Sequence, residues 1–135
     1  MVRAALLCLA LLPVVGNAQE RPRLGLTLAG ADQVGDACRL SFLAENGLGV
    51  ALSALTLEAV VFTRQGAVER LMLLEFRELP KDKSRLRQFD LTGTDCGALG
   101  QILINGADQC AGAPEGHCIA ALVPGSRVEG LEVTG

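Results

Sequence analysis

From Leu24 onward the chain runs in short stretches that alternate apolar and polar residues, the period of two expected of strands with one buried face. The clearest covers residues 37–45, where Cys38, Leu40, Phe42 and Ala44 alternate with Arg39, Ser41, Leu43 and Glu45. It stops at Asn46-Gly47, a strong turn signal. Upstream, Leu24, Leu26 and Leu28 alternate with Gly25, Thr27 and Ala29 as a first short strand, and Gly30 to Gly35 reads as a loop. Downstream, Ser53 to Thr63 puts Leu55, Leu57, Ala59 and Val61 on one face and Thr56, Glu58, Val60 and Phe62 on the other. Both faces turn apolar toward its end, which predicts a central strand covered on both sides there. Arg64-Gln65-Gly66 then closes a hairpin.

Residues 67–79 fit two periods. Val68, Leu71, Met72, Phe76 and Leu79 make a helical stripe, while Met72, Leu74 and Phe76 also alternate with Leu71 and Leu73 as in a strand. The preceding hairpin turn and the terminating Pro80 select the strand. After the charged turn Lys81-Asp82-Lys83, Ser84 to Leu91 reads as a strand with Phe89 and Leu91 inward and Arg85 and Arg87 at the rim of that same face. Leu99 to Ile104 is the next, ending at Asn105-Gly106, and Arg127 to Val133 is the last. Seven short strands punctuated by turns predict an all-β fold, an antiparallel immunoglobulin-like β-sandwich of about seven strands.

The segment from Asn46 to Phe89 resembles the FxLYD-type immunoglobulin-like domains of bacterial exported proteins. The matching pieces are the Asn46-Gly47 turn, the apolar–aromatic pair Val61-Phe62, the turn at Gly66, the strand Leu71 to Phe76, the polar turn Lys81 to Ser84, and Phe89. Thr63 stands where that family carries Asp. The resemblance implies an immunoglobulin-like sandwich and no particular chemistry. The whole chain is also similar to small secreted proteins of alphaproteobacteria.

Residues 1–18 read as a secretory signal peptide: Arg3 as the positive start, an apolar run from Ala4 to Val15, and small residues Gly16 and Ala18 before a cut ahead of Gln19. Cys8 lies inside the apolar run, with Leu7 where a lipobox needs a small residue, so it leaves with the signal. Residues 19–135 then form a single β-sandwich domain, periplasmic or secreted, with no membrane span after signal cleavage. No Trp and no Tyr occur, and only four Phe, so the core is aliphatic. A formal net charge of −3 does not suit nucleic acid, and no such partner is expected.

Cys38, Cys96, Cys110 and Cys118 remain after cleavage, an even count that reads as two disulfides with three possible pairings. Cys38–Cys96 with Cys110–Cys118 is the favoured one, because the first would tie the central strand to the far end of its sheet and the second would close a short Gly/Pro loop.

Candidate chemistry is sparse. His117 is the only histidine, and no nucleophile elbow accompanies it. Cys110, His117 and Cys118 could form a soft metal site, but disulfide formation competes for the thiolates. No Cys-x-x-Cys occurs, the Asp residues are spread over turns, the glycines form no phosphate-cradling loop, and no Trp or Tyr offers a platform for sugar. No cofactor is expected. Lys81, Lys83, Arg85 and Arg87 form a local basic edge in an acidic chain. Positive charge of this kind guards an open strand against aggregation; it also steers an acidic partner. The functional expectation is a non-catalytic exported interaction module, an accessory part of an envelope complex that meets an envelope protein through that edge. The alternative is a small periplasmic metal-handling protein or hydrolase.

Overall fold

Period-two segments can bury their apolar faces only by stacking sheet on sheet, and the described residues do so with eight strands. The computed structural model describes Met1, residues 11–16 and residues 20–135. The signal segment expected over residues 1–18, with its cut before Gln19, falls largely outside the described residues. The strands are β1 (Arg23–Val34), β2 (Ala37–Gly47), β3 (Leu52–Thr63), β4 (Val68–Leu79), β5 (Ser84–Thr92), β6 (Leu99–Ala111), β7 (Leu122–Ser126) and β8 (Glu132–Thr134). One sheet has the order β5-β2-β1-β7, the other β4-β3-β6-β8. Pairing is antiparallel except at the rims, where β7 runs parallel to β1 and β8 parallel to β6. The kernel, with β2 between β1 and β5 and β3 beside β6, has the strand order of immunoglobulin-type sandwiches.

Between the sheets lie Leu24, Leu26 and Leu28 of β1, Leu40 and Phe42 of β2, Leu55, Leu57 and Val61 of β3, Leu74 and Phe76 of β4, and Ile102 and Ile104 of β6. Three of the four phenylalanines close one side of this aliphatic core. The ring of Phe89 stands edge-on to Phe42 at 6.2 Å and to Phe76 at 5.6 Å between centroids. A disulfide joins Cys38 on β2 to Cys96, in the single 3-10 turn Cys96–Ala98 that links the sheets. Another joins Cys110 near the end of β6 to Cys118 in a one-turn helix, α1 (His117–Ala120). This is the pairing favoured from the sequence.

The ambiguous segment is strand β4. Leu74 and Phe76 point inward, while Leu71 and Leu73 stay exposed. Four other expectations are corrected. The loop expected at Gly30–Gly35 is a continuation of β1 to Val34; a register shift between Leu28 and Gly30 keeps the pairing with β2 although the apolar alternation lapses beyond the core. Asn105-Gly106 does not end β6, which continues to Ala111. The register steps from Ala59↔Ile104 to Glu58↔Gly106, so Asn105 is the extra residue of a bulge. The last strand expected over Arg127–Val133 is a turn leading to β8 alone, and β7, unforeseen because of Pro124 and Gly125, precedes it. Leu24 N donates to Ala121 O and Arg127 N to Leu28 O, so the bonding positions flank Pro124 and its ring faces the open side, where proline is tolerated. Finally, β3 is central in its sheet but no third layer covers it among the described residues. Val60 is shielded by its neighbours Leu71 and Leu103 in the same sheet, with Leu71 still 64% exposed.

The turn expected at Asn46-Gly47 ends β2. Asn46 stands at the crossing from one sheet to the other, buried, with its amide nitrogen donating to Val50 O and Leu79 O (both 2.9 Å) and its Oδ1 accepting from Leu48 N at 3.0 Å. One side chain thus ties the β2–β3 connection to the end of β4. Asn46→Ala would leave these backbone groups without their partner, and we expect a loss of about 2–3 kcal/mol in urea unfolding. A loss below about 0.5 kcal/mol, the size of an ordinary surface change, would contradict this role.

Candidate functional site: a basic cleft between two sheet edges

The turn Pro80–Lys83 carries the chain from the edge of one sheet to the edge of the other. Lys83 N donates to Pro80 O at 3.2 Å and Asp82 N to Asn46 O at 3.0 Å, with Asp82 in the left-handed region (φ 58°). Because β4 and β5 are both edge strands, this turn puts the two edges on the same side of the sandwich. They differ in regularity. The pairing of β4 with β3 shifts register in three places, and Arg77 takes φ 63°, a conformation that L side chains seldom adopt. β5 pairs with β2 from Ser84 to Thr92 in unbroken register.

Between the edges lies a cleft of about 480 Å³ lined by Leu73, Glu75 and Arg77 from β4 and by Arg87, Gln88 and Phe89 from β5. Half-buried Phe89 joins it to the core through its edge-on contact with Phe76. Arg85 shares the strand face of Arg87 and Phe89. Among the described residues, no carboxylate forms a salt bridge with Arg77, Lys81, Lys83, Arg85 or Arg87. The guanidinium of Arg85 instead donates to Ser84 O at 2.9 Å, and that of Arg87 to Leu86 O at 3.3 Å.

The acid on β5 is already engaged elsewhere. On the opposite face, Asp90 accepts from Nε and Nη2 of Arg39 at 2.7 and 2.9 Å. That bidentate hydrogen bond, with the charge of Arg39, holds the Asp90 carboxyl below its usual range and raises the pKa of Arg39. The Asp90 pKa is lowered on folding, so this small surface contribution is present at neutral pH and is lost as pH falls through the folded-state pKa.

The four cations expected as one basic row are divided by the turn. Arg87 lines the cleft and Arg85 adjoins it, but Lys81 is exposed in the turn. Lys83 lines a separate hollow of about 340 Å³ with Arg23, Glu45 and Asp82. The left-handed backbone at Asp82 breaks the alternation that odd numbering assumed. Arg77, Glu75 and Leu73 belong to the cleft and were not foreseen. Their partners lie on the other sheet, and no local pattern carries that information.

The other candidate groups are placed apart. His117 opens α1 half-buried, and the thiolates that a metal at Cys110, His117 and Cys118 would need are consumed by the disulfide. Asp95 is a structural cap, accepting from Gly97 N at 2.9 Å. Among the described residues no three His, Cys, Asp or Glu side chains gather as metal ligands, and no helix is long and apolar enough to cross a membrane. Two disulfides are the mark of a chain that folds in an oxidising compartment.

No protein-family model and no curated protein matches the chain. Its fold is similar to the solved structure of IrmA from Escherichia coli. The TM-score is 0.61 at 11% identity, over 77% of this chain and 92% of that one. At that identity the likeness is one of fold.

Proposed function

We propose that the protein is a non-catalytic interaction module, exported to the periplasm or beyond, that meets an acidic partner protein of the cell envelope along its β4–β5 side. The observation that carries this reading is the placing of Arg77 and Arg87 at the β4–β5 cleft, with Arg85 beside it and Lys81 in the adjoining turn, none of them in a salt bridge among the described residues, in a chain of net charge −3. An excess of positive charge at an accessible cleft attracts the opposite sign over a range set by salt screening and raises association rates. The oxidising compartment implied by the disulfides agrees with an envelope setting.

The test is capture of partners from the native envelope by the wild-type protein and by Arg85→Glu/Arg87→Glu. Both side chains are partly exposed, so the thermal midpoint should move little, with a stability change of about 0.5 kcal/mol. Capture should fall, chiefly through slower and more salt-sensitive association. Equal capture at an equal midpoint would remove the binding role from this edge.

A further inference from the structure

A two-sheet sandwich has four edges, and three of these are blunted. β7 has five residues with a proline facing the open side, and β8 has three. β4 is broken by register shifts and by the left-handed Arg77. Only β5 offers nine residues in unbroken register. Its bonding pattern follows from Asn46, whose N–H donates to Lys83 O. By antiparallel alternation, Ala44, Phe42 and Leu40 also face β5 and bond their partners Arg85, Arg87 and Phe89. The backbone groups of Ser84, Leu86, Gln88 and Asp90 therefore turn to the open side. Two of those outward carbonyls, of Ser84 and Leu86, are the ones covered by the guanidiniums of Arg85 and Arg87.

We infer that β5 is a guarded site for strand addition: an extended acidic segment of the partner pairs along β5 and sets its carboxylates in the cleft against Arg87, Arg85 and Arg77. This rests on the reading of the β4–β5 side as a partner surface and specifies what the partner presents there. The arginines do two things. At rest they satisfy edge carbonyls and repel a second copy of β5, which would bring like charges face to face. A strand with carboxylates at its cleft-facing positions offers each guanidinium a stronger, charge-assisted acceptor, drawing it off the carbonyl and freeing the edge for backbone pairing. Side chains alternate along an added strand, so the signature is an acid at every second position with β-favouring residues between.

The probe is a fluorescent alternating Thr-Glu peptide long enough to span β5, followed by anisotropy at low salt. Saturable binding is expected, weakened at least about tenfold by Arg85→Glu/Arg87→Glu and by added salt. Two analogues of identical charge then separate pairing from attraction. One carries N-methyl groups on the Thr amides only, the other on the Glu amides only. In antiparallel addition the Thr amides face β5, so the first analogue should lose binding and the second keep it; parallel addition exchanges the two outcomes. Equal binding of both analogues and the parent overturns strand addition and leaves an electrostatic partner surface standing. No saturable binding of the parent up to about 1 mM likewise overturns it. If the double Glu variant still captures the native partner, the functional reading itself falls.

Discussion

Removing the Cys38–Cys96 disulfide, as Cys38→Ala/Cys96→Ala, is expected to lower stability by about 4 kcal/mol. The bond spans 58 residues of sequence, and a cross-link that closes a long loop removes much of the freedom of the unfolded chain. It also joins the centre of one sheet to the connection entering the other, and Cys38 is wholly buried, so truncation to Ala adds a small packing loss. Cys110–Cys118 spans only 8 residues, and the same model gives about 2.5 kcal/mol for Cys110→Ala/Cys118→Ala. For a chain of this size the long-loop variant should melt roughly 12–20 °C below the wild type. Guanidinium unfolding of the oxidised proteins checks the order. A long-loop variant less affected than the short-loop one would show that chain entropy does not govern their contributions.

The second large effect is expected at the aromatic corner beside the cleft. Phe76→Ala should cost about 3–5 kcal/mol, since Phe76 is fully buried at the edge of its sheet and its loss leaves a cavity. Phe89→Ala should cost less, about 1–2 kcal/mol, because Phe89 is only partly buried and contributes chiefly its edge-on contacts with Phe42 and Phe76. Urea unfolding of the two variants gives the comparison. The difference also bears on binding. Phe89 lines the cleft, so Phe89→Ala should weaken the acidic peptide while leaving most of the fold intact, whereas Phe76→Ala should act mainly through stability. Equal losses at both positions would mean that the cleft is packed as tightly as the core, with no room for an added strand.

The strand content was legible in the sequence because alternation is a property of each segment taken alone. Cys38 to Ala44 and Leu55 to Val61 declare their buried faces within a few residues, and the even count of Cys38, Cys96, Cys110 and Cys118 declares a disulfide framework. Even the favoured pairing follows from loop lengths and from strand position. Where the pattern lapses, the strand signal lapses with it. β1 beyond Leu28, β6 beyond Ile104 and the proline-bearing β7 are held as strands by the neighbours to which they bond, and a single chain segment carries no record of a neighbour. Asn46-Gly47 shows both sides of this: as a dipeptide it signals the turn that ends β2, yet nothing local shows that its buried amide is engaged by carbonyls of the β2–β3 connection and of β4.

The candidate site divides in the same way. That Lys81, Lys83, Arg85 and Arg87 concentrate positive charge is a fact of spacing, and Arg85 and Arg87 keep one face because β5 is unbroken. That Arg77, Glu75 and Leu73 stand across from Arg87, that Lys83 turns to another hollow, and that β5 is the long free edge were decided by the crossing at Pro80–Lys83 and by the packing of the two sheets. Period-two alternation tells a strand which of its faces to bury. Which strands meet at an edge depends on contacts between residues far apart in the chain, and those exist only once the sheets have closed.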